Sequence, residues 1–274
     1  TCHELDRVSP DHPVLLNHTS GHFATLNSAA MRLARIGEID VPDGVVVAVD
    51  DEGRPNGLLE EQAQQLVRSL VHPRSVAEMS TNLGLASDRY LSEGITSCQE
   101  AGVGGILGTA EPVEVAAYQQ ARRANRLRVR VTMMASVDAL HSCAHHADDN
   151  EPFSLDLGMH TGFGDDWLRY GATKIFADGS LMGCTAAMFA DFDGKPGNNG
   201  YFQMPESRLH ELILAAHRSG WQVATHAIGD RAVSSVLDGY EAALQQYPRA
   251  DHRHRIEHAG MTRAADVDRI ARLG

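Results

Sequence analysis

The stretch Val223-Ala-Thr-His-Ala-Ile-Gly-Asp230 combines a short apolar strand, a glycine turn and the start of a helix. We predict a strand over Gln222 to His226, and Asp230 occupies the N-cap position of a helix that runs to about Gln246. His226 therefore falls at the carboxyl end of its strand. In βα architectures this is the end that carries catalytic residues.

Similar βα units flank this stretch on both sides. Strand patterns lie near residues 95, 129, 173, 223 and 255, and helical patterns such as the apolar stripe of Ser207 to Arg218 separate them. Strands that alternate with helices predict a parallel sheet, so residues 94–274 are predicted as an α/β domain. Residues 1–93 do not follow this rhythm and are interpreted as an insertion or cap with leading helices.

Composition excludes several classes of protein. The 274 residues include 24 Lys plus Arg and 36 Asp plus Glu, giving a formal charge of −12, which disfavours nucleic acid or an anionic membrane as partner. The longest apolar runs, such as Val45 to Val49, are too short to cross a membrane, and no secretion signal opens the sequence. The four cysteines form no CxxC pair, which is typical of reduced thiols in a cytoplasmic protein. We expect a small-molecule substrate that is not strongly anionic.

The strand pattern at Thr173 to Asp178 contains a lysine that is predicted to be buried. Side-chain alternation places Lys174, Phe176 and Asp178 on one face, while the apolar residues between them suit the helix-covered face. A buried lysine without a partner tends to lose its charge, and a neutral lysine can take up carbon dioxide as a metal-binding carbamate. The alternative is an ion pair between Lys174 and Asp178, and both interpretations remain open.

A second histidine ends the next predicted strand, Arg253 to Ala259. A lone histidine in such a place is more often structural than a ligand. Because adjacent strands bring their ends together, His226 and His258 downstream of an inward lysine favour a metal site. If His258 points inward, the same alternation points Arg255 and Glu257 outward to the helices.

Two closer histidine pairs are weaker candidates for metal binding. His252 and His254 have a His-x-His spacing but lie at the start of their strand, away from the other ligands. His141 and His145 fall in the polar stretch Ser136 to Asp166, which is predicted as a long loop, so a solvated surface cluster is favoured there.

The combined motifs resemble the amidohydrolase superfamily, within it the amidohydrolase-3 group of YtcJ-like proteins and N-substituted formamide deformylases. The resemblance implies a (β/α)₈ barrel of the metal-dependent hydrolase type. Its metal site is built from a His-x-His pair, a lysine that is often carboxylated, two single histidines and an aspartate. The matching segments span almost the whole chain: Asn17-His-Thr-Ser-Gly-His22, Gly57-Leu-Leu-Glu60, Gly94-Ile-Thr-Ser97, Lys174-Ile-Phe-Ala-Asp-Gly-Ser180, Thr225-His-Ala-Ile-Gly-Asp-Arg-Ala232 and Arg255-Ile-Glu-His-Ala259.

The family's functional residues carry over to part of this sequence. Lys174, His226 and His258 match the ligands and are expected to be catalytic through bound Zn²⁺, with one or two divalent metals in the site. The implied reaction is hydrolysis of an amide or related C–N bond by metal-activated water. The substrate-binding residues are expected among three members of the matching motifs: His22, Asp178 and Asp230.

The sequence departs from the family pattern at both ends. No His-x-His pair precedes the first predicted strand, and the sequence stops at Gly274 after the sixth βα unit. We therefore expect a fragment with about strands 2–6 of the barrel, half of a binuclear ligand set, and open strand edges that favour a homo-oligomer. The alternative function is an inactive fragment or binding remnant without metal, and a third is a metal-independent enzyme with Lys174 as a Schiff-base nucleophile.

Overall fold

The computed structural model describes residues 1–39, 41, 45, 47–71, 74–105, 113–149 and 152–274. Three segments with a sequence prediction lie partly outside them: the apolar run Val45 to Val49 at residue 46, a helical pattern over Glu111 to Arg126 at residues 111–112, and the predicted loop Ser136 to Asp166 at residues 150–151. The chain divides into two compact units, Thr1–Arg74 and Ser75–Gly274. The helix at Val76–Ser92, which the sequence pattern grouped with the leading segment, thus belongs to the second unit.

The first unit is a small antiparallel sheet with short helices. Its strands have the order β1-β2-β4-β3, and Asn27 caps the second helix by accepting a hydrogen bond from the Ala30 N–H. One of the leading helices is predicted over Leu59 to Val71, but this stretch is the end of a strand followed by a 3₁₀ helix, Glu61–Leu70. The remaining elements are helices α1 (Cys2–Asp6) and α2 (Ser28–Ala34) and strands β1 (Leu15–Asn17), β2 (Phe23–Leu26), β3 (Val47–Val49) and β4 (Pro55–Glu60).

The second unit is an α/β structure around a five-stranded parallel sheet. All five predicted strands are present, in the order β11-β10-β9-β6-β5. The elements of this unit are helices α3 (Val76–Ser92), α4 (Glu114–Arg123), α5 (Glu206–Arg218), α6 (Asp230–Gln246) and α7 (Ala264–Leu273), the main strands β5 (Ser97–Val103), β6 (Arg130–Ser136), β9 (Leu168–Phe176), β10 (Val223–Ala227) and β11 (Arg255–His258), and the short hairpin strands β7 (His141–Ser142) and β8 (Phe153–Ser154).

The two faces of this parallel sheet differ in character. One face packs against α5 and α6 in a large apolar core that includes Ile175, Val223 and Ala227. The opposite face, here called the inner face, has a small apolar cluster of Met134, Ala172 and Ala224. Because partners in a parallel pair share a face, the register of Ala224 with Lys174 places the lysine on the inner face.

Strands β10 and β11 are joined on the helix side by one phenol. The Tyr240 hydroxyl of α6 donates to the Arg255 carbonyl at 2.8 Å and lies 2.9 Å from Thr225 Oγ1. The register pairs His226 with Glu257 and Ala227 with His258. Tyr240 is 4% exposed, so this junction lies within the core.

Two further properties bear on the sequence predictions. The four cysteines are free thiols. Among the described residues, no helix is long and apolar enough to cross a membrane.

Candidate metal centre

Three adjacent strands bring Lys174, His226 and His258 to the same end of the sheet. The rings of His226 and His258 meet edge to face with centroids 4.7 Å apart. Lys174 Nζ lies 4.7 Å from the centroid of the Phe176 ring, whose own centroid is 5.2 Å from that of His226. A continuous set of side-chain contacts therefore joins the amine to both imidazoles.

The hydrogen bond of His226 defines which ring nitrogen carries its proton. Nε2 lies 2.8 Å from the Gly179 carbonyl oxygen, and a carbonyl only accepts, so Nε2 is the donor. In the neutral ring the lone pair is then on Nδ1. A metal-binding histidine commonly donates its other ring N–H to a carbonyl or carboxylate, and His226 has this arrangement.

Lys174 is held in a desolvated position, with 4% of the residue exposed. Burial lowers the pKa of its amine to about 8, with Glu257 opposing and Arg255 reinforcing this change. The nearby charges that act on Lys174 are therefore on β11. Of the two interpretations of Lys174, the ion pair with Asp178 is therefore replaced by an interaction with the charges of Glu257 and Arg255.

The prediction that Arg255 and Glu257 point outward is wrong. Arg255 donates to Glu257 Oε1 at 2.9 Å and to Gln99 Oε1 at 2.9 Å, and it contacts Met134 of the inner cluster. The alternation fails because His258 has φ 74°, a left-handed conformation that lies outside the strand pattern. The His258 side chain can therefore reach the ring of His226 while the Glu257 side chain stays on the inner face of the sheet.

Sequence reasoning missed Phe176 and Glu257 as neighbours of the site. Both are register partners of His226, on either side of it in the sheet. Aligning the three predicted strands by their last residues pairs His226 with Asp178 and Ala259, which is two residues away from the observed partners. The register that makes Phe176 and Glu257 neighbours of His226 therefore could not be taken from the predicted strand ends.

The structure places the two predicted substrate-binding aspartates against backbone amides. The buried Asp178 carboxylate accepts from the N–H groups of Ala187, Ile228 and Gly229. Asp230 is the first residue of α6 and not its N-cap: Gly229 holds that position, and Asp230 Oδ1 accepts from Phe189 N–H at 2.9 Å. Their contact with substrate stays a prediction.

His22, the third predicted substrate-binding residue, lies in the first unit. Its Nδ1 is 2.9 Å from Oε2 of Glu61, a carboxylate side chain that is 3% exposed. The backbone of Glu61 also donates to the His22 carbonyl. His22 is thus fixed to the start of the 3₁₀ helix, and its substrate role stays a prediction.

The His252 and His254 pair belongs to a hydrogen-bonded network at the start of β11. Val223 N–H donates to His254 Nδ1 at 3.0 Å, so His254 Nε2 carries the proton and lies 2.9 Å from His217 Nδ1. His217 Nε2 lies 2.7 Å from the Tyr247 carbonyl. His252 Nδ1 accepts from the His254 N–H, and its Nε2 is 2.8 Å from the Leu273 carbonyl. Protein groups thus occupy the nitrogens that a metal would need.

The exposed His141 has a surface partner. Its Nε2 lies 3.0 Å from Asp156 Oδ1, and both side chains are mostly exposed, as expected for a solvated cluster. In the described part of the chain, one group of three His, Cys or carboxylate side chains brings its ligand atoms within 4.8 Å of one another, namely Cys2, His3 and Asp6. The oxygens of Asp6 accept from the Ser28 N–H and hydroxyl, which gives this carboxylate a structural role.

The donor set at the strand ends fits a divalent metal. Two imidazoles lie in ring contact, one of them oriented by a carbonyl, and a desolvated amine shares their face. As a carbamate, Lys174 would add an anionic oxygen ligand to the two nitrogens. Nitrogen and oxygen ligands of this kind are typical of zinc sites.

The sequence of this chain resembles known proteins over its whole length. An amidohydrolase family model matches residues 1–274. The chain is 32% identical to YtcJ of Bacillus subtilis (strain 168) over 275 residues, covering 100% of this chain and 48% of that protein. It is 31% identical to the N-substituted formamide deformylase of Arthrobacter pascens over 280 residues, covering 100% of this chain and 49% of that protein.

A solved structure shows the same fold. It is the crystal structure of an uncharacterized metal-dependent hydrolase from Pyrococcus furiosus, with a TM-score of 0.65 and 26% identity, covering 100% of this chain and 51% of that one. The chain belongs to the amidohydrolase family. It spans about half the length of the curated relatives that it matches.

Proposed function

We propose that the protein is a metal-dependent amidohydrolase that hydrolyses an amide or related C–N bond of a small molecule. The observation that carries this proposal is the 4.7 Å contact between the rings of His226 and His258 beside the buried Lys174. The family membership and the name of the Pyrococcus furiosus relative support it. In this proposal the five parallel strands are part of a (β/α)₈ barrel, about its strands 2–6.

In this proposal Lys174, His226 and His258 would hold the metal, which we propose to be zinc. The neutral Lys174 amine attacks carbon dioxide, a new N–C bond forms, and one proton leaves to solvent, which gives the anionic carbamate. His226 keeps its Nε2 proton on the Gly179 carbonyl and presents Nδ1. A divalent metal bound by these residues would supply Lewis acidity, which would polarise the substrate carbonyl and make water a stronger nucleophile.

Metal analysis of the purified protein tests the proposal. We expect about one or more zinc ions per chain, and His226→Asn and His258→Asn each to lower the zinc content severalfold or more. His145→Asn is the matched control, because His145 is an exposed histidine in another loop. A metal-free wild-type protein, or a His226→Asn variant that binds zinc normally, would contradict the proposal.

Activity is tested first on N-substituted formamides, the substrates named in one relative. Release of formate should require metal and fall by orders of magnitude in His226→Asn. Hydrolysis that survives both metal removal and this substitution would exclude the proposed chemistry. Trapping of a covalent adduct at Lys174 by borohydride would support the Schiff-base alternative instead.

A further inference from the structure

The buried carboxylate of Asp178 joins two segments that are far apart in the sequence. Oδ2 accepts from the Ala187 N–H at 2.9 Å and from the Gly229 N–H at 2.8 Å, and Oδ1 accepts from the Ile228 N–H at 3.0 Å. Ala187 lies in the loop after β9, whereas Ile228 and Gly229 form the turn after β10. Asp178 is 0% exposed, so these bonds lie in a water-excluded environment.

The same two segments meet a second time at the start of α6. Asp230 Oδ1 accepts from the Phe189 N–H at 2.9 Å, and the Ala187 carbonyl accepts from the N–H groups of Arg231 and Ala232 at 3.2 and 3.3 Å. The approach is close, because a Cβ at Gly229 would lie 2.0 Å from the Ala187 oxygen. The loop is therefore fixed to the turn by side-chain and backbone bonds together.

His226 lies next to this junction. Its Nε2 donates to the carbonyl of Gly179, the residue that follows Asp178, and is 3.5 Å from Asp178 Oδ1. The turn anchored by Asp178 begins two residues after His226. The orientation of the imidazole therefore depends on a backbone carbonyl and a turn that the same carboxylate holds in place.

We infer that Asp178 is a positioning residue that orients His226 and immobilises the loop Leu181–Met204, rather than a group that contacts the substrate. This inference rests on the proposed function, because the effect of Asp178 on His226 is measured as a change in zinc binding. Three amide donors approach the carboxylate from two sides. A side chain with a single acceptor oxygen, such as an amide, cannot accept hydrogen bonds from all three N–H groups in this arrangement.

The test is Asp178→Asn in the protein purified as the cell makes it. The new NH₂ group would face an N–H donor, so the junction should open. We expect zinc affinity, measured by competition with a chromophoric chelator, to fall by about 10- to 100-fold. Hydrogen exchange at Leu181–Met204 should become faster, and kcat should fall more than KM rises.

Asp191→Asn is the matched control. Asp191 lies in the same loop, is exposed, and accepts a single bond from the Gly197 N–H, which an amide oxygen can replace. Zinc affinity and loop exchange should stay at wild-type values in this variant. The inference would be overturned if Asp178→Asn kept the zinc affinity and the loop protection of the wild type and only its KM were raised. That result would favour the earlier prediction that Asp178 contacts the substrate.

A second variant decides the question if Asp178→Asn does not fold. Asp230→Ala removes the outer bond to the Phe189 N–H and leaves the buried carboxylate in place. It should speed loop exchange and weaken zinc binding severalfold, less than Asp178→Asn. Faster loop exchange with unchanged zinc affinity would overturn the inference, because the loop could then move without disturbing His226. A wild-type protein without metal would refute the proposed function alone, since loop exchange still reports on the junction.

Discussion

The guanidinium of Arg255 on β11 donates to Gln99 Oε1 on β5 at 2.9 Å, although these strands are the two edges of the sheet. Three strands lie between them. The sheet must therefore curve so strongly that side chains from opposite edges meet over the inner face. This curvature is what the proposed barrel requires.

Replacement of Arg255 by Met should destabilise the protein by about 1 kcal/mol, because Glu257 loses its partner on a partly desolvated face. The two side chains are 34% and 24% exposed, which keeps the effect modest. Urea unfolding measures the change. The double variant Arg255→Met/Glu257→Gln should lose less stability than the two single variants together, and strict additivity would show that the pair does not interact.

Lys174→Ala should abolish most zinc binding, because the anionic ligand is lost. Acetate or propionate at millimolar concentrations should restore part of the zinc content and activity by supplying a carboxylate in the space of the carbamate. In the wild-type protein, growth with ¹³C-bicarbonate should give a carbamate carbonyl signal in NMR. Lys195→Ala is the control, since Lys195 is exposed in the loop after β9 and its removal should leave the zinc content unchanged. A Lys174→Ala protein with the zinc content of the wild type would contradict the assignment.

Acid should destabilise the start of β11 before most carboxylates are protonated. Burial lowers the pKa of His254 to about 3, with His217, His252 and Arg249 as further causes, while an unfolded histidine titrates near 6.5. The contribution of neutral His254 to the stability of the fold is complete above pH 6.5. It is lost progressively as the pH falls toward 3, because in this range His254 binds a proton only in the unfolded chain. Between pH 6.5 and 5 the loss is about 2 kcal/mol.

Thermal unfolding as a function of pH tests this expectation. His254→Asn retains an acceptor for the Val223 N–H but does not titrate, so its melting temperature should fall less between pH 6.5 and 5 than that of the wild type. The exposed His145→Asn variant should follow the wild type. Parallel curves for all three proteins would show that the network has no such effect.

The left-handed backbone at His258 should reverse a common order of stability. Alanine is normally more stabilising than glycine, but at φ 74° glycine avoids strain of about 1 kcal/mol. We therefore expect His258→Gly to be more stable than His258→Ala, while both lose zinc. The same pair at His145, which has no positive φ, should show the usual order. A His258→Ala protein more stable than His258→Gly would disprove the strain.

Local patterns were sufficient to predict most of the second unit. The apolar stripe predicted a helix over Ser207 to Arg218, and the structure has Glu206–Arg218; the helix predicted to end near Gln246 ends there. These elements follow from periodicity and stop signals that lie within each segment. The strand ends that carry Lys174, His226 and His258 could be located for the same reason.

Features that depend on distant contacts could not be predicted in this way. The outward direction assigned to Glu257 failed because His258 adopts φ 74°, and the alternation of side chains along a strand does not indicate that conformation. The partners of Asp178 lie in a loop and in a turn, and neither has a periodic sequence pattern. The bond from Arg255 to Gln99 depends on the curvature of the whole sheet.

The hydroxyl of Tyr240 also constrains the end of the sheet that carries His226 and His258. By binding the Arg255 carbonyl and Thr225 in the core, it fixes how far one strand can slide along the next. A slide of two residues, the smallest that keeps every side chain on its own face, would move one imidazole by about 7 Å relative to the other. The distance between the two imidazoles proposed as ligands is thus maintained by a hydroxyl in the helical layer, on the opposite side of the sheet from the site.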